Sequence, residues 1–292
     1  MGHKWLWVLL LAAAAGWGAT FHLAGTLGPQ AGMQMILSVD GAQVTGASWD
    51  ETISDRQTLA GTVQGTRATV QARGADHRAS GTFAGTLSAG GRRFAGTWTS
   101  ADAEVTLPFA LTALAEYRTA TSTTPALELT ATYPVFLSTG AAWRALNATV
   151  AAGVSAAQRR FRTELPPGPP PGGTQYSQRL TVEVAYADAT LASLLTTEDT
   201  YTGGAHPNLV YRSALYRMTG RQPARLSLSD LFDPASTYRA MLLELVVAGP
   251  TKVERGIGLT SAVPSGTVAT VKTGRGIAKV DLLPRGGAGT AA

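Results

Sequence analysis

Residues whose side chains could do chemistry are few in this chain. Its 292 residues include no Cys and four His (His3, His22, His77 and His206), no two of which are close in sequence. Disulfide scaffolds, thiol nucleophiles and Cys-ligated zinc are therefore excluded, and so are metal sites built from two His on one helix turn. No Gly-x-Ser-x-Gly nucleophile elbow occurs either. We expect no catalytic residue, no metal and no cofactor.

The most suggestive stretch runs from Tyr201 through Thr-Gly-Gly-Ala-His-Pro to Asn208. Its two Gly allow a tight backbone path that other residues would strain, and this path delivers His206 and Asn208 to the start of the next strand. His206 fits best as a residue that hydrogen-bonds the turn, and second as a contact to a partner. The predicted binding residues are Tyr201, Gly203, Gly204, His206 and Asn208.

Acid–base catalysis at His206 would need a partner such as Glu198 or Asp199, and the spacing establishes none. Ser and Asp are plentiful, so a Ser-His-Asp arrangement stays open. We expect no enzyme, with a cell-wall hydrolase or esterase as the alternative.

The formal net charge of +5 is concentrated at the end of the chain. Residues 249–292 hold six basic and two acidic residues, whereas residues 20–117 and 118–248 are nearly neutral. A basic face on a central domain is therefore not indicated, and nucleic acid is not an expected partner.

The first 19 residues have the layout of a secretory signal peptide. Lys4 precedes about eleven apolar residues, and small residues follow up to Ala19. We expect an extracytoplasmic protein that is periplasmic, on the cell surface or secreted. A retained membrane anchor is the alternative, since the uncharged stretch continues to Phe21.

One pentapeptide recurs four times between residues 20 and 117. Large apolar, Gly and large apolar residues alternate in each copy, so they share one face of a strand, and the copies start at near multiples of one strand-and-turn unit. The pattern predicts about eight antiparallel strands in a small barrel. The copies are Leu23-Ala-Gly-Thr-Leu27, Leu59-Ala-Gly-Thr-Val63, Phe83-Ala-Gly-Thr-Leu87 and Phe94-Ala-Gly-Thr-Trp98.

Such a barrel could carry a small ligand, because the motif is weakly similar to the strands of avidin-like barrels. A structural module is the other interpretation. His22 alternates with apolar neighbours and His77 lies in a polar turn, so both are expected to be exposed to solvent.

The segment 127–248 predicts an α+β domain, after a Thr-rich linker at 118–126. Apolar residues spaced by three and four from Ala141 to Leu165 predict one long helix, with three Arg near its solvated end. Strands are expected at 127–133, 176–186, 190–201 and 209–218. Ser229 could cap a further helix through Tyr238 to Val246.

Four motifs around the long helix resemble a known bacterial group. They are Tyr133-Pro-Val-Phe136, Tyr201-Thr-Gly-Gly-Ala-His-Pro-Asn208, Thr219-Gly220 and Leu228-Ser-Asp-Leu-Phe232. Over about 127–233 the chain is similar to the extracytoplasmic domain shared by RsiV-like lysozyme-sensing anti-sigma proteins and the non-catalytic region of PdaC-like peptidoglycan deacetylases. The resemblance implies an α+β domain at the cell wall and, in the RsiV branch, a lysozyme-binding surface. It implies neither catalysis nor anti-sigma activity.

The complete expectation is an exported, non-enzymatic binding module at the bacterial cell envelope, with lysozyme or peptidoglycan fragments as partner. A membrane contact is expected only if the leader is retained. The fold class is β and α+β, in the order signal peptide 1–19, barrel 20–117, linker 118–126, α+β domain 127–248 and basic, low-aromatic tail 249–292. The tail is either a divergent, partly disordered end or the product of a reading-frame change.

Overall fold

The structure is a computed structural model, and it describes residues 18–29, 31–50, 56–88, 90–168, 174–204, 206–230, 267–273 and 276–282. The predicted leader, the helix expected to follow Ser229 and most of the tail lie outside these residues. Within the described ranges, no helix is long and apolar enough to cross a membrane.

Fifteen strands and one long helix make up the described chain, with a short 3-10 helix at Leu228–Asp230. They are β1 (Ala19–Leu27), β2 (Ala31–Asp40), β3 (Gln43–Asp50), β4 (Gln57–Gln64), β5 (Arg67–Arg73), β6 (Ala79–Leu87), β7 (Arg93–Ser100), β8 (Thr106–Thr124), β9 (Leu127–Phe136), α1 (Ala141–Glu164), β10 (Tyr176–Ala187), β11 (Leu191–Tyr201), β12 (Asn208–Arg217), β13 (Ala224–Leu226), β14 (Thr267–Thr273) and β15 (Gly276–Leu282).

Strands β1 to β8 form an antiparallel meander that closes into a barrel where β1 pairs with β8. The turns contain glycines with positive φ, at Gly41 (58°) and Gly65 (62°) for example, where residues with side chains would be strained. Together with the α+β part described below, the barrel confirms the predicted fold class of β and α+β.

The barrel interior is filled by apolar side chains. Phe109 packs edge-on against Phe83 and Phe94, with ring centroids 5.3 and 4.7 Å apart. Met35 and Leu23 are fully buried beside them. This packing is that of a structural core, so nothing in it favours the small-ligand carrier.

The glycine of each pentapeptide lies where a neighbouring strand approaches closely. A Cβ at any of the four positions would overlap a backbone carbonyl of the adjacent strand. The glycines are Gly25, Gly61, Gly85 and Gly96.

The segment predicted as a linker is largely strand. β8 continues to Thr124, and a two-residue turn leads into β9. All of β9 pairs with the second half of β8. The second half of β8 therefore forms part of the C-terminal sheet. The domain division itself stays a prediction.

Beyond β9 the chain forms the α+β part. β9 and β10 are parallel and are connected through α1, while β10 to β13 follow in antiparallel order. All thirteen strands from β1 to β13 form one continuous sheet. The hairpin of β14 and β15 is a separate sheet, and β15 contacts β12.

The predicted helix is confirmed within one residue at its end. Its buried stripe contains Leu146, Val150, Val154 and Phe161, which pack on the apolar face of β9 to β11. Asn147 holds the start of the helix against the end of β9, because its side chain both donates to Phe136 O at 2.9 Å and accepts from Phe136 N at 2.8 Å.

We predict that Gly61→Ala destabilises the barrel by about 1–3 kcal/mol, the usual cost of overpacking. The added Cβ would overlap Thr69 O and lie 2.6 Å from Val70 Cα, both in backbone that cannot rotate away. Urea denaturation followed by circular dichroism measures the loss. Ala60→Ser, on the exposed side of the same strand, is the control. An equal, small effect of both changes would show that the close approach is not a constraint.

Candidate functional site

The five predicted binding residues lie together in the β11–β12 hairpin. Tyr201 ends β11 and Asn208 begins β12, with Thr200 as the Cα partner of Asn208. Gly203 has a φ of 90° and so needs to be glycine, whereas a Cβ at Gly204 would meet only His206 O at 3.9 Å. The backbone conformation therefore requires glycine at Gly203, and not at Gly204.

His206 is exposed at the tip of this hairpin, with Nδ1 3.3 Å from the carbonyl oxygen of Pro207. That contact is local, in line with the interpretation of His206 as a turn residue. Neither Glu198 nor Asp199 forms a hydrogen bond or ion pair with it among the described residues. Whether the hairpin binds a partner stays a prediction.

Three consecutive apolar residues follow the hairpin on β12, and they are exposed. Leu209 retains 53%, Val210 39% and Tyr211 41% of its accessible surface. Among the described strands, this half of β12 pairs with β11 alone. The run of apolar residues was readable in the sequence, but their exposure depends on a strand order that no local pattern encodes.

Glu198 is a buried carboxylate with three hydrogen-bonding partners among the described residues. It is 5% exposed on β11, and Arg160 of α1 donates from Nη2 to both its carboxylate oxygens at 3.1 and 3.2 Å. Arg212 Nη1 donates to Oε2 at 2.6 Å, and Gln178 Nε2 donates to Oε1 at 2.8 Å. This group of four residues, the Glu198 cluster, connects the helix to three strands.

Electrostatics in the Glu198 cluster favour the charged carboxylate. Burial by itself would raise the pKa of Glu198, but the hydrogen bonds from Arg212 and Gln178 and the charges of both Arg outweigh burial and lower the pKa. A carboxylate that is ionised and occupied by three donors is poorly suited to accept or deliver a proton. The cluster is therefore a structural connection, and it also gives Arg160 of the predicted solvated helix end a partner.

The expectation that His22 is exposed was wrong. Its side chain points out of the barrel, as the alternation indicated, but it is fully buried, because β10 of the α+β part covers this wall. Nε2 lies 2.6 Å from Gln34 Oε1, and Gln34 Nε2 donates to Ala187 O at 3.1 Å, which makes His22 Nε2 the donor. Burial lowers the pKa of His22 to about 4. His77 is exposed, as predicted.

A small apolar cavity lies where the barrel meets the start of α1. Its volume is about 240 Å³, and Phe136 and Trp143 form part of its wall with ring centroids 4.7 Å apart. Among the described residues that line it, Ser138 is the one polar residue. No group of three or more His, Cys, Asp or Glu suited to a metal ion occurs in the part of the chain that the structure describes.

Comparisons with known proteins identify no family. No protein-family model matches the chain, and no curated protein matches it. A solved structure of a DUF3298 family protein from Pseudomonas aeruginosa PAO1 is similar at 16% identity with a TM-score of 0.33, over 54% of this chain and 80% of that chain. A similarity this low supports no conclusion about function.

We predict that Glu198→Gln lowers the free energy of unfolding by about 1–3 kcal/mol at pH 7, because charge-assisted hydrogen bonds become neutral ones in a buried place. Since the pKa of Glu198 is lowered, its contribution is present at neutral pH and is lost as the pH falls through that lowered pKa. Urea denaturation at several pH values measures the difference. The exposed Glu128→Gln is the control, and equal effects of the two changes would contradict the role of the cluster.

We predict that His22 makes stability depend on pH between its ordinary pKa of 6.5 and its folded pKa of about 4. In that pH range the His22 imidazole is protonated in the unfolded chain but stays neutral in the folded chain. The free energy of unfolding therefore falls as the pH falls. The total effect is about 3 kcal/mol. His22→Gln keeps a donor for Gln34 but does not titrate, so the stability difference between protein and variant should narrow from pH 6.5 to pH 4. A constant difference would contradict the burial of a neutral His22.

Proposed function

We propose that this chain is a non-enzymatic binding module of the bacterial cell envelope, with lysozyme or a peptidoglycan-related ligand as its partner. The proposed contact surface consists of the hairpin from Tyr201 to Asn208 and the apolar residues Leu209 and Tyr211, which share one face of β12.

The observation that carries this proposal is the exposure of those two apolar residues on one face beside the hairpin. Two other large apolar side chains are exposed among the described residues: Val105 lies alone on the barrel, and Val210 points to the opposite face of β12. Single exposed apolar side chains are ordinary, whereas a contiguous group marks a surface that a partner covers. The group continues directly from the residues that the sequence predicts to bind.

The surroundings of the candidate acid and base residues favour binding over catalysis. Glu198, one of the two candidate partners for His206, is held by Arg160 and Arg212, and His22 is buried with a lowered pKa. His206 is exposed and contacts only its own turn in the part of the chain described. A general base without an orienting partner does little to activate a nucleophile.

The location and the partner are proposed from the sequence. The first 19 residues have the layout of a leader, which supports export, and the motif from Tyr201 to Asn208 supports a partner at the cell wall through its resemblance to RsiV- and PdaC-like domains.

The test is retention of the partner by the immobilised chain. We expect the protein to retain either lysozyme or purified peptidoglycan sacculi, and in the lysozyme case to slow lysis of sacculi. Leu209→Ser should weaken binding about tenfold, equivalent to about 1.4 kcal/mol, because it removes an apolar contact at the centre of the surface.

Val105→Ser is the matched control, since it removes a similarly exposed apolar side chain from the barrel. Retention of neither lysozyme nor sacculi would refute the proposed function. Retention that Leu209→Ser and Val105→Ser reduce equally would refute the proposed surface.

A further inference from the structure

The C-terminal sheet has one face that the helix does not cover. Residues such as Leu129, Ala131, Leu180 and Val182 point to the helix side and are buried. Because side chains alternate along a strand, their neighbours point to the opposite side. We call that opposite side the open face; it consists of outward residues of β8 to β12.

Strand register places a row of hydroxyl groups across the open face. The Cα partners run from β8 to β12 through four threonines and end at a tyrosine. Adjacent strands lie about 4.8 Å apart, so the backbone positions of the row repeat at about that interval. The first two hydroxyls are 3.0 Å apart. The row consists of Thr119, Thr132, Thr181, Thr197 and Tyr211.

The next row along the strands places two opposite charges side by side. Arg179 and Asp199 are direct Cα partners, with Leu209 beyond Asp199 on β12. Neither charge makes an ion pair or a side-chain hydrogen bond with another residue that the structure describes. Within the described residues, one is therefore a donor and the other an acceptor with no side-chain partner, and together they add no net charge to the face.

Only the end of the open face that contains these two rows is accessible to solvent. In both rows each residue is exposed or half-buried. Toward the barrel the same face is covered, since Ser213 is buried and Glu183 forms an ion pair with Arg56 at 3.0 Å. The accessible part is a strip across several strands with the apolar surface of β12 at one end.

We infer that this strip binds a neutral pyranose chain, laid across the strands from the threonine row to Tyr211. The inference deepens the proposed binding function, on which it rests, by naming the class of ligand as a neutral glycan.

The chemistry of the strip matches such a chain in three respects. The strand spacing of about 4.8 Å is close to the length of one pyranose unit, so successive sugars lie over successive strands of the row. A sugar has hydroxyls that both donate and accept, which suits Thr side chains and the Arg179 and Asp199 pair. Its apolar C–H face suits the exposed ring of Tyr211, which offers an apolar body with a polar end. The balanced charge favours a neutral polymer over an acidic one.

The experiment measures binding of chitohexaose, a neutral β-linked hexamer, to the full chain by isothermal titration calorimetry. Oligogalacturonate of equal length is the anionic comparison. The double variant Thr132→Val and Thr181→Val removes two central hydroxyls while keeping side-chain shape and strand preference. We expect chitohexaose to bind, oligogalacturonate to bind more weakly, and the double variant to raise the Kd for chitohexaose at least tenfold.

The matched control is Thr62→Val and Thr69→Val, which removes two paired, exposed hydroxyls from neighbouring barrel strands. It should leave the Kd unchanged, and thermal unfolding verifies that both double variants are folded. A Tyr211→Leu variant should also weaken binding, because it removes the ring but keeps apolar bulk.

Three results would overturn the inference: no binding of chitohexaose, tighter binding of oligogalacturonate, or equal effects of the two double variants. A dimer in size-exclusion chromatography that Thr132→Val and Thr181→Val dissociates would overturn it as well, since a second copy would then occupy the strip. Retention of lysozyme without glycan binding would refute this inference alone and leave the proposed function standing.

Discussion

The 19-residue strand β8 is the constraint on which the rest of the structure depends. Its first part closes the barrel by pairing with β7 and β1, and its second part pairs with β9. Backbone hydrogen bonds therefore connect the barrel to the α+β part without a break. A flexible connection would leave the two parts free to separate, whereas a shared strand fixes the start of β9 and everything built on it.

This fixed arrangement turns part of the barrel's outer wall into an interface. β10 lies over β1 and β2, so His22 and Gln34 lose contact with water and form a chain of hydrogen bonds to Ala187 O. At the edge of the interface Arg56 and Glu183 form an ion pair, and Val184 N donates to the hydroxyl of Tyr117 at 3.0 Å. Burial raises the pKa of Tyr117. The accessible strip of the open face begins where this interface ends.

Much of the fold could be predicted because its signals are local. The alternation in the pentapeptides indicated strands, and the spacing of Leu146, Val150 and Val154 indicated the helix, since each pattern needs only the geometry of one element. The linker was misread for a related reason. Thr, Ser and Ala between residues 118 and 124 are equally compatible with a loop and with an exposed strand, and pairing with β9 decides between them.

The features of the candidate site can likewise be separated into those visible in the sequence and those set by the tertiary structure. The sequence by itself determined the hairpin from Tyr201 to Asn208, because only Gly adopts the φ of 90° at Gly203 without strain, and such a requirement is visible in a single residue type. Only the tertiary structure decided that Leu209 and Tyr211 are exposed, that Thr119, Thr132, Thr181 and Thr197 share one row, and that Glu198 meets Arg160 and Arg212. These relations join residues far apart in the chain. These relations follow from the order and register of the strands. The free energy that selects that order and register comes from contacts over the whole sheet.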